Sequence, residues 1–385
     1  MWKIFTETLT KDMKMICDFS NIANSNNFYY IKNPGERYWV LPCSSSMGLK
    51  AAHAIYQPLT VKGTGFKCLF PYFASYKVFQ KLTKVEIVKI GFRMEFLDWV
   101  DKVFETRDPL FSFFLGTPGV YRKTIVQVSD KNFNILGYIK FTSDLKIAEL
   151  IKNEADFLTY LSDKELAAPK LLGYEKDFLT GLTMMAQTTK KTLKACSTSV
   201  LNQKHFDFQR QLYEKTKVTM KYGNTQYFKN QQKYLHVLKG WKKIENKRVI
   251  TSAIDKINQK LKNSAVTFSA AHRDFTYTNI CFIDSKIFVF DWEYAVHEYP
   301  PFYDLFCFIA HIILQNDRIS VDKAFNEIET LIKIIQKQCK GFDMDSIKLY
   351  SLMFLTDAIF VWLIRGLEKH LQCCVDLIEK VSGTI

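Results

Sequence analysis

The chain has 385 residues, of which 48% are hydrophobic and 15% aromatic. This length suits two or three domains, and this apolar content excludes a wholly disordered protein. Lys and Arg number 53 against 39 Asp and Glu, which gives a net charge of +14.

The first hundred residues contain no pattern that indicates a catalytic site. Met1–Phe19 mixes charged and apolar residues, so no secretory signal peptide is predicted. Ser44–Ser46 lie outside any Gly-x-Ser-x-Gly context, which favours a turn or a helix N-cap over a nucleophile. Val85–Phe104 is amphipathic. We interpret residues 1–100 as an N-terminal extension that packs on the next domain.

Two strands joined by a glycine-containing turn are predicted next. The segment Phe113–Val128 contains two apolar runs separated by Gly116-Thr117-Pro118-Gly119. Backbone N–H groups in such a turn can cover the phosphates of a nucleotide, and an ordinary hairpin turn is the alternative. Gly116 and Gly119 are therefore candidate nucleotide-binding residues.

A lysine on a strand and a glutamate on the following helix form a second candidate feature. Lys140 lies in the strand predicted at Ile135–Phe141, and Glu154 follows fourteen residues later in an amphipathic helical pattern. Residues in these places can form an ion pair, and the lysine can then neutralise the α- and β-phosphates of a nucleotide. We predict these roles for Lys140 and Glu154.

The excess positive charge is concentrated between Leu201 and Ser264, where 15 Lys/Arg stand against 4 Asp/Glu, a net +11. One interpretation is a solvated helical face. The other is attraction of an anionic partner, such as a phosphorylated sugar, a lipid headgroup surface or nucleic acid. Aromatic residues interleave with these lysines, which suits either core packing or base stacking.

The most informative stretch of the sequence is Ala271–Ala295. Two apolar runs, Ile280–Ile283 and Ile287–Phe290, are separated by three polar residues and predict a β-hairpin. Folding this hairpin brings Asn279 and Asp291 close together. Both side chains offer oxygen atoms, which are the ligands that Mg²⁺ prefers, so the pair is a predicted metal site.

Asp274 lies five residues before Asn279, on the loop that enters the hairpin. In that place it can accept the proton of a substrate hydroxyl. A positioned base, a carboxamide and a carboxylate on magnesium are the groups that phosphoryl transfer requires.

The order His272-Arg273-Asp274, then Asn279, then Asp291-Trp292-Glu293 resembles the catalytic segment of the aminoglycoside phosphotransferase and choline kinase family. The run Pro300–Leu305 resembles a later element of the same family. The resemblance covers roughly Phe111–Leu371.

The resemblance implies an α+β, two-lobed, protein-kinase-like fold with a small antiparallel-sheet lobe and a larger, mostly helical lobe. Residues 101–187 would form the first lobe. Residues 188–385 would form the second, with the catalytic loop and the metal site. The implied cofactors are ATP and Mg²⁺, and the backbone near Met185–Gln187, including Met185 and Gln187, would bind the adenine edge.

Further roles are predicted within the catalytic segment, and those of His272 and Asp304 follow from the resemblance. Asp274 would be the base, and His272 would brace the loop by hydrogen bonding. Arg273, next to the base, would contact an anion or form a loop salt bridge. Asp304 would support the loop, and Glu293 would help to bind a second cation or a cationic acceptor.

These features predict an ATP- and Mg²⁺-dependent phosphotransferase acting on a hydroxyl of a small molecule. A sugar or a choline- or ethanolamine-like acceptor of cell-envelope metabolism is the expected class, and the basic segment favours an anionic one. The alternatives are a catalytically inactive kinase-like binding protein and a basic nucleic-acid-binding protein, although no specific nucleic acid is expected.

The predicted setting is a reducing cytoplasm, because the nine cysteines include no C-x-x-C pair. The longest apolar run, Leu349–Ile364, is shorter than a bilayer span and carries Asp357. It is predicted to be a buried helix, so any contact with a membrane would be peripheral.

Overall fold

A computed structural model describes residues 11–18, 25–32, 36–55, 61–116, 119, 121–190, 192, 195–241, 246–315, 320–364 and 371–385. The chain divides into two compact units. The first comprises Met1–Ser162 and Pro169–Ala195, and the second comprises Asp163–Ala168 and Cys196–Ile385. The predicted lysine–glutamate pair lies in the first unit, whereas the predicted base and metal ligands lie in the second.

The first unit contains a nine-stranded sheet in the order β1-β4-β2-β3-β5-β6-β7-β9-β8. Every neighbouring pair of strands runs antiparallel. The first hundred residues, predicted as an extension, supply β1 to β4 of this sheet. The strands are β1 (Cys17–Asp18), β2 (Asn26–Lys32), β3 (Tyr38–Pro42), β4 (Glu86–Phe92), β5 (Leu110–Leu115), β6 (Thr124–Ser129), β7 (Ile135–Thr142), β8 (Leu171–Phe178) and β9 (Leu182–Thr188).

Strand β2 shows why this sheet is buried on both faces. Successive side chains of a strand point to opposite faces of a sheet. Phe28 and Tyr30 pack into one hydrophobic cluster, together with Phe113 of β5. Tyr29 and Ile31 pack into a second cluster. Four apolar residues in succession, 28–31, therefore account for the burial of β2 on both faces of the sheet.

The helices of the first unit follow from capping and periodicity. Ser45 caps α2 by accepting a hydrogen bond from the Gly48 amide, which confirms the N-cap interpretation of Ser44–Ser46. The amphipathic segment Val85–Phe104 divides into strand β4 and helix α5. The helices are α1 (Lys11–Ile16), α2 (Ser46–Ala52), α3 (Val61–Phe73), α4 (Lys77–Thr83), α5 (Met94–Phe104) and α6 (Leu145–Leu161).

The second unit is rich in helices. Its strands form a three-stranded antiparallel sheet, β10 (Val218–Lys221), β11 (Ala265–Ala271) and β14 (Val296–Tyr299), and a hairpin, β12 (Ile280–Ile283) and β13 (Lys286–Val289). Its helices are α7 (Gln203–Thr216), α8 (Gln226–Gly240), α9 (Lys247–Leu261), α10 (Tyr303–Gln315), α11 (Val321–Gln338), α12 (Met344–Ile364) and α13 (Leu371–Ser382). A sheet unit and a helical unit confirm the predicted α+β class.

Helix α12 contains the apolar run that was predicted to be buried. Among the described residues, Met344–Leu363 is the one stretch long and apolar enough to cross a membrane by length and composition, and 72% of that window is buried. Leu352, Phe354 and Ile359 belong to the core of the second unit. A helix that is apolar on all sides is expected at the centre of a helical core, which accords with the prediction.

The basic segment between Leu201 and Ser264 forms α7, β10, α8 and α9, apart from residues 242–245, which lie outside the described part of the chain. Tyr222 and Tyr227, two of the aromatic residues that interleave with its lysines, are buried in the core of the second unit. Core packing therefore explains these two rings, and they are not available to stack on nucleic acid bases.

Candidate active site

The hairpin β12–β13 has the register that the sequence predicted. Ile280 lies opposite Val289, and the Phe290 amide donates to the Asn279 carbonyl over 3.0 Å. Asn279 and Asp291 therefore flank the open end of one short hairpin. Asn279 is buried and Asp291 is half-buried.

The carboxamide of Asn279 is oriented by Asp274. Its Nδ2 atom donates to the Asp274 Oδ2 atom over 2.9 Å and to the Asp274 carbonyl over 3.0 Å. An amide group has two donor hydrogens and one acceptor oxygen. Because its nitrogen is turned toward Asp274, the Asn279 oxygen is the atom able to bind a cation.

His272 uses both ring nitrogens within the protein. Its Nδ1 atom accepts a hydrogen bond from the Asp274 amide over 3.2 Å, which requires the other nitrogen to carry the proton in the neutral ring. That Nε2 atom lies 3.0 Å from the Phe290 carbonyl. The ring is fully buried and its centroid lies 4.5 Å from that of Trp292. These contacts connect the loop to the hairpin and support a positioning role for His272.

Asp304, at the start of α10, holds the backbone of the catalytic loop. Its Oδ2 and Oδ1 atoms accept hydrogen bonds from the amides of His272 and Arg273, each over 2.9 Å. Gln209 of α7 donates to Oδ2 over 3.2 Å. Burial raises the pKa of the Asp304 carboxyl, and the hydrogen bonds from His272, Arg273 and Gln209 act in the opposite direction. A buried carboxylate needs such donors, and the loop supplies them.

Arg273 forms a buried ion pair with Asp357 of α12. Its Nη2 and Nε atoms donate to the Asp357 Oδ2 atom over 2.8 Å and 3.2 Å, and the two side chains are 10% and 0% exposed. Burial alone would lower the pKa of the guanidinium, but the Asp357 carboxylate raises it well above its ordinary value. The structure therefore shows the loop salt bridge, one of the two alternatives for Arg273.

Three tyrosines complete the shell around this ion pair. Tyr299 and Tyr303 donate to the two carboxylate oxygens of Asp357 over 2.9 Å and 2.6 Å, and Arg273 donates to the Tyr234 hydroxyl over 3.0 Å. Burial raises the pKa of Tyr234 to about 12. The hydroxyls therefore stay protonated at neutral pH and act as donors to the carboxylate.

Arg273, beside the proposed base, and Asp291, a proposed metal ligand, have left-handed backbone conformations. Arg273 has φ 61° and Asp291 has φ 71°. Such a conformation costs a non-glycine residue on the order of 1 kcal/mol or more, and it persists only where the surroundings enforce it. At Arg273 the surroundings include Asp304 on the amide and Asp357 on the side chain.

The first unit contains the predicted lysine–glutamate pair. The Lys140 Nζ atom lies 2.7 Å and 2.6 Å from the two carboxylate oxygens of Glu154, and both side chains are buried. Glu154 shares the inner face of α6 with Ile147, Ile151 and Leu158. The helical period thus places the Glu154 carboxylate on the buried face of α6. A buried carboxylate needs a charged partner, which is Lys140.

The other nucleotide-binding candidates of the first unit are two residues of β9 and two glycines after β5. Met185 and Gln187 are buried in β9, where Met185 lies opposite Lys140 of β7. At Gly116 and Gly119 an added Cβ would meet no atom closer than 4.0 Å. Thr117 and Pro118, between those glycines, lie outside the described residues.

Sequence reasoning missed one glycine and the partners of Arg273. A Cβ on Gly137 would lie 2.1 Å from the Gln187 carbonyl oxygen, so this position requires glycine. The polar shell of Asp357, made by Tyr234, Tyr299 and Tyr303, was also not predicted. Its signal was the presence of Asp357 in the middle of an apolar run, because a buried carboxylate demands partners.

Comparison with known proteins gives similarity at the level of structure. No protein-family model and no curated protein matches the sequence. A thermostable mutant of aminoglycoside phosphotransferase APH(4)-Ia is similar over 74% of this chain and 97% of its own, with 14% identity and a TM-score of 0.49.

Two further solved structures are similar to this chain. A choline/ethanolamine kinase family protein from Mesorhizobium loti covers 69% of this chain and 85% of its own, with 12% identity and a TM-score of 0.43. A putative fructosamine-3-kinase from Haemophilus somnus covers 74% and 96%, with 14% identity and a TM-score of 0.44.

We predict that Asp357→Asn lowers the free energy of unfolding by about 3–5 kcal/mol, because it leaves the Arg273 charge buried without its partner. The measurement is urea denaturation followed by circular dichroism. Asp345→Asn is the matched control, since Asp345 is exposed in the first turn of the same helix. A loss no larger than that of the control would contradict the importance of the ion pair.

Proposed function

We propose that this chain is a phosphotransferase that moves the γ-phosphoryl group of ATP to a hydroxyl of a small molecule, with Mg²⁺ as cofactor. The observation that carries the proposal is the hydrogen bond from the Asn279 amide nitrogen to the Asp274 carboxylate, beside Asp291 at the open end of one hairpin. One contact thereby fixes a base and orients a metal ligand.

The donor set of this hairpin fits a magnesium ion. The Asn279 carbonyl oxygen and the Asp291 carboxylate are hard oxygen ligands, and Mg²⁺ typically takes one or two protein carboxylates and completes its shell with water and phosphate oxygens. When bound, Mg²⁺ supplies charge neutralisation for the nucleotide phosphates. In this proposal Asn279 and Asp291 hold it, and Glu293, which is buried two residues later, is a candidate ligand for a second cation.

Asp274 is the proposed base. Its side chain is half-buried, its Oδ2 atom accepts from Asn279, and its amide is tied to His272. These contacts fix the carboxylate on the loop, so little reorganisation is needed when it accepts the proton of the acceptor hydroxyl. His272 and Arg273 act in this proposal as positioning residues.

Lys140 is proposed to neutralise the α- and β-phosphates, with Glu154 holding its ammonium group in place. The burial of both side chains supports a fixed position for this charge. The backbone near Met185 and Gln187 is proposed to bind the adenine edge, and the backbone at Gly116 and Gly119 to approach the phosphates.

The acceptor is proposed to be a sugar or a choline- or ethanolamine-like molecule in the cytoplasm. Arg273 is engaged by Asp357 and Tyr234, so an anionic acceptor would have to be recognised by other groups. The lysines of the basic segment Leu201–Ser264 are the candidates, through long-range attraction. The presence of base, metal ligands and buried lysine favours an active enzyme over an inactive binding protein.

We expect Asp274→Asn to lower phosphoryl transfer by about 10²–10⁴-fold, which is the usual contribution of a positioned base. Nucleotide binding should be retained, because Asp274 is not among the proposed ligands. The measurement is ADP release with Mg-ATP across choline, ethanolamine, aminoglycosides, sugars and sugar phosphates. Asp284→Asn, at the exposed turn of the same hairpin, is the control. Transfer by Asp274→Asn at the rate of that control would remove Asp274 from the role of base.

For the metal site, Asp291→Ala should abolish the stabilisation that Mg²⁺ adds to ATP binding, because one of two protein oxygens is lost. Asn279→Ala should weaken it less, since an amide carries no charge. The measurement is thermal unfolding with ATP, in the presence and absence of Mg²⁺. A ligand at 100 times its Kd stabilises a protein by about 2.7 kcal/mol. The absence of any Mg-ATP stabilisation of the unaltered protein would count against the whole site.

A further inference from the structure

The helices α3 and α4 of the first unit expose a cluster of large apolar side chains. Among the described residues, fifteen large hydrophobic side chains are exposed, and six of them fall within fourteen residues of the chain. Single exposed apolar residues are normal, whereas a contiguous group marks a site of interaction. The six are Leu69, Tyr72, Phe73, Tyr76, Val78 and Leu82, which are 45% to 78% exposed.

Helix α3 is apolar on two faces, of which only one is used by the fold. Phe70 and Ala74 are buried in the hydrophobic cluster that covers one face of the large sheet. Leu69, Tyr72 and Phe73 have the spacing of a helix face but remain exposed. Tyr76, in the turn after α3, is also exposed, and its ring centroid lies 6.2 Å from that of Phe73. A helix that packs on a core and faces only water would carry polar residues on that outer face.

The inner face of α3 is anchored by a specific contact. Pro71 has no N–H group, so the Lys67 carbonyl lacks its usual partner within the helix. The imidazole of His53 hydrogen bonds to the Lys67 backbone, and its centroid lies 4.7 Å from that of Phe70. Burial lowers the pKa of His53 to about 3, so the ring is neutral at physiological pH. These contacts attach the inner side of α3 to the fold and leave its outer side exposed.

The charge within the segment that carries the cluster is of one sign. Between Val61 and Lys84 the sequence has five lysines and no Asp or Glu. Four of them, Lys62, Lys77, Lys81 and Lys84, are exposed. The Nζ atom of Lys50, on α2, lies 4.5 Å from the centroid of the Tyr72 ring. Lysines interspersed with aromatic and aliphatic side chains are typical of helices that lie in the interface of an anionic membrane.

We propose that this apolar–basic surface, formed by Leu69, Tyr72, Phe73, Tyr76, Val78 and Leu82 with the lysines of α3 and α4, binds the surface of an anionic bilayer. The apolar side chains enter the headgroup region and the lysines pair with lipid phosphates. The one-signed charge favours this occupant over a second copy of the chain, because two such surfaces would repel one another. The proposal is independent of the phosphotransferase activity.

The test is flotation of the full chain with phosphatidylcholine vesicles, with and without phosphatidylglycerol. The unaltered protein should float only with the vesicles that contain phosphatidylglycerol, and less at high salt. Lys77→Gln/Lys81→Gln should weaken binding about 30-fold, since each lysine near an anionic surface contributes about a fivefold factor. Val78→Ser/Leu82→Ser should weaken it by about tenfold or more.

The matched controls lie on exposed positions of the second unit. Lys229→Gln/Lys233→Gln removes two exposed lysines of α8, and Val200→Ser/Val237→Ser removes two exposed valines. Both controls should float as well as the unaltered protein. All of the replaced side chains are exposed, so thermal unfolding should be unchanged, and this is measured in parallel.

Three results would overturn the proposal. One is failure of the unaltered protein to float with phosphatidylglycerol vesicles. Another is an equal loss of binding in the α8 lysine control, which would assign the attraction to the basic segment. The third is a dimer in light scattering that Val78→Ser/Leu82→Ser dissociates while vesicle binding is absent, which would identify a second copy as the occupant.

Discussion

The buried ion pair between Arg273 and Asp357 fixes the loop on which the proposed chemistry depends. Removing two charges from water costs several kcal/mol per ion, and the cost is offset only when every donor and acceptor is satisfied. Here Tyr299, Tyr303 and Arg273 together occupy both oxygens of Asp357. The left-handed backbone of Arg273 is one consequence, because its side chain and its amide are each bound to a buried carboxylate. The backbone conformation of Arg273 sets the direction in which the chain continues to Asp274. The Asp274 carboxylate then accepts a hydrogen bond from the Asn279 amide.

Much of the site could be predicted because its parts are close in sequence. A two-stranded hairpin with a short turn fixes its own register, so Asn279 and Asp291 had to lie at one end. Lys140 and Glu154 occupy a strand and the helix that follows it, and a charged residue on the buried stripe of α6 needs a nearby partner. The contact between Arg273 and Asp357 spans 84 residues. Local patterns carry no information on which of many buried positions Asp357 would face.

The same distinction explains what the sequence revealed of the fold. The resemblance of the catalytic segment to a known family implied the sheet unit and the helical unit, and the apolar run Leu349–Ile364 predicted helix α12. The first hundred residues were interpreted as an extension, yet β2 pairs with β4 across an intervening stretch that holds three helices, and β3 pairs with β5. The order of strands in a sheet depends on such long-range pairings. The same set of strands can pair in several orders, and the sequence pattern of each strand does not distinguish them. No strand was predicted among the first hundred residues, although they supply β1 to β4.

Lysines interleaved with aromatic residues occur twice in this chain, and burial gives the two occurrences different meanings. In the basic segment Leu201–Ser264, Tyr222 and Tyr227 are buried in the core. The apolar faces of these helices therefore pack on the core, and the exposed lysines lie on their outer side. Between Val61 and Lys84, Tyr72 and Tyr76 are exposed beside the lysines. The first arrangement can attract an anion at a distance but offers it little apolar surface. The second offers charge and apolar surface in one place, which is the combination that a lipid interface selects.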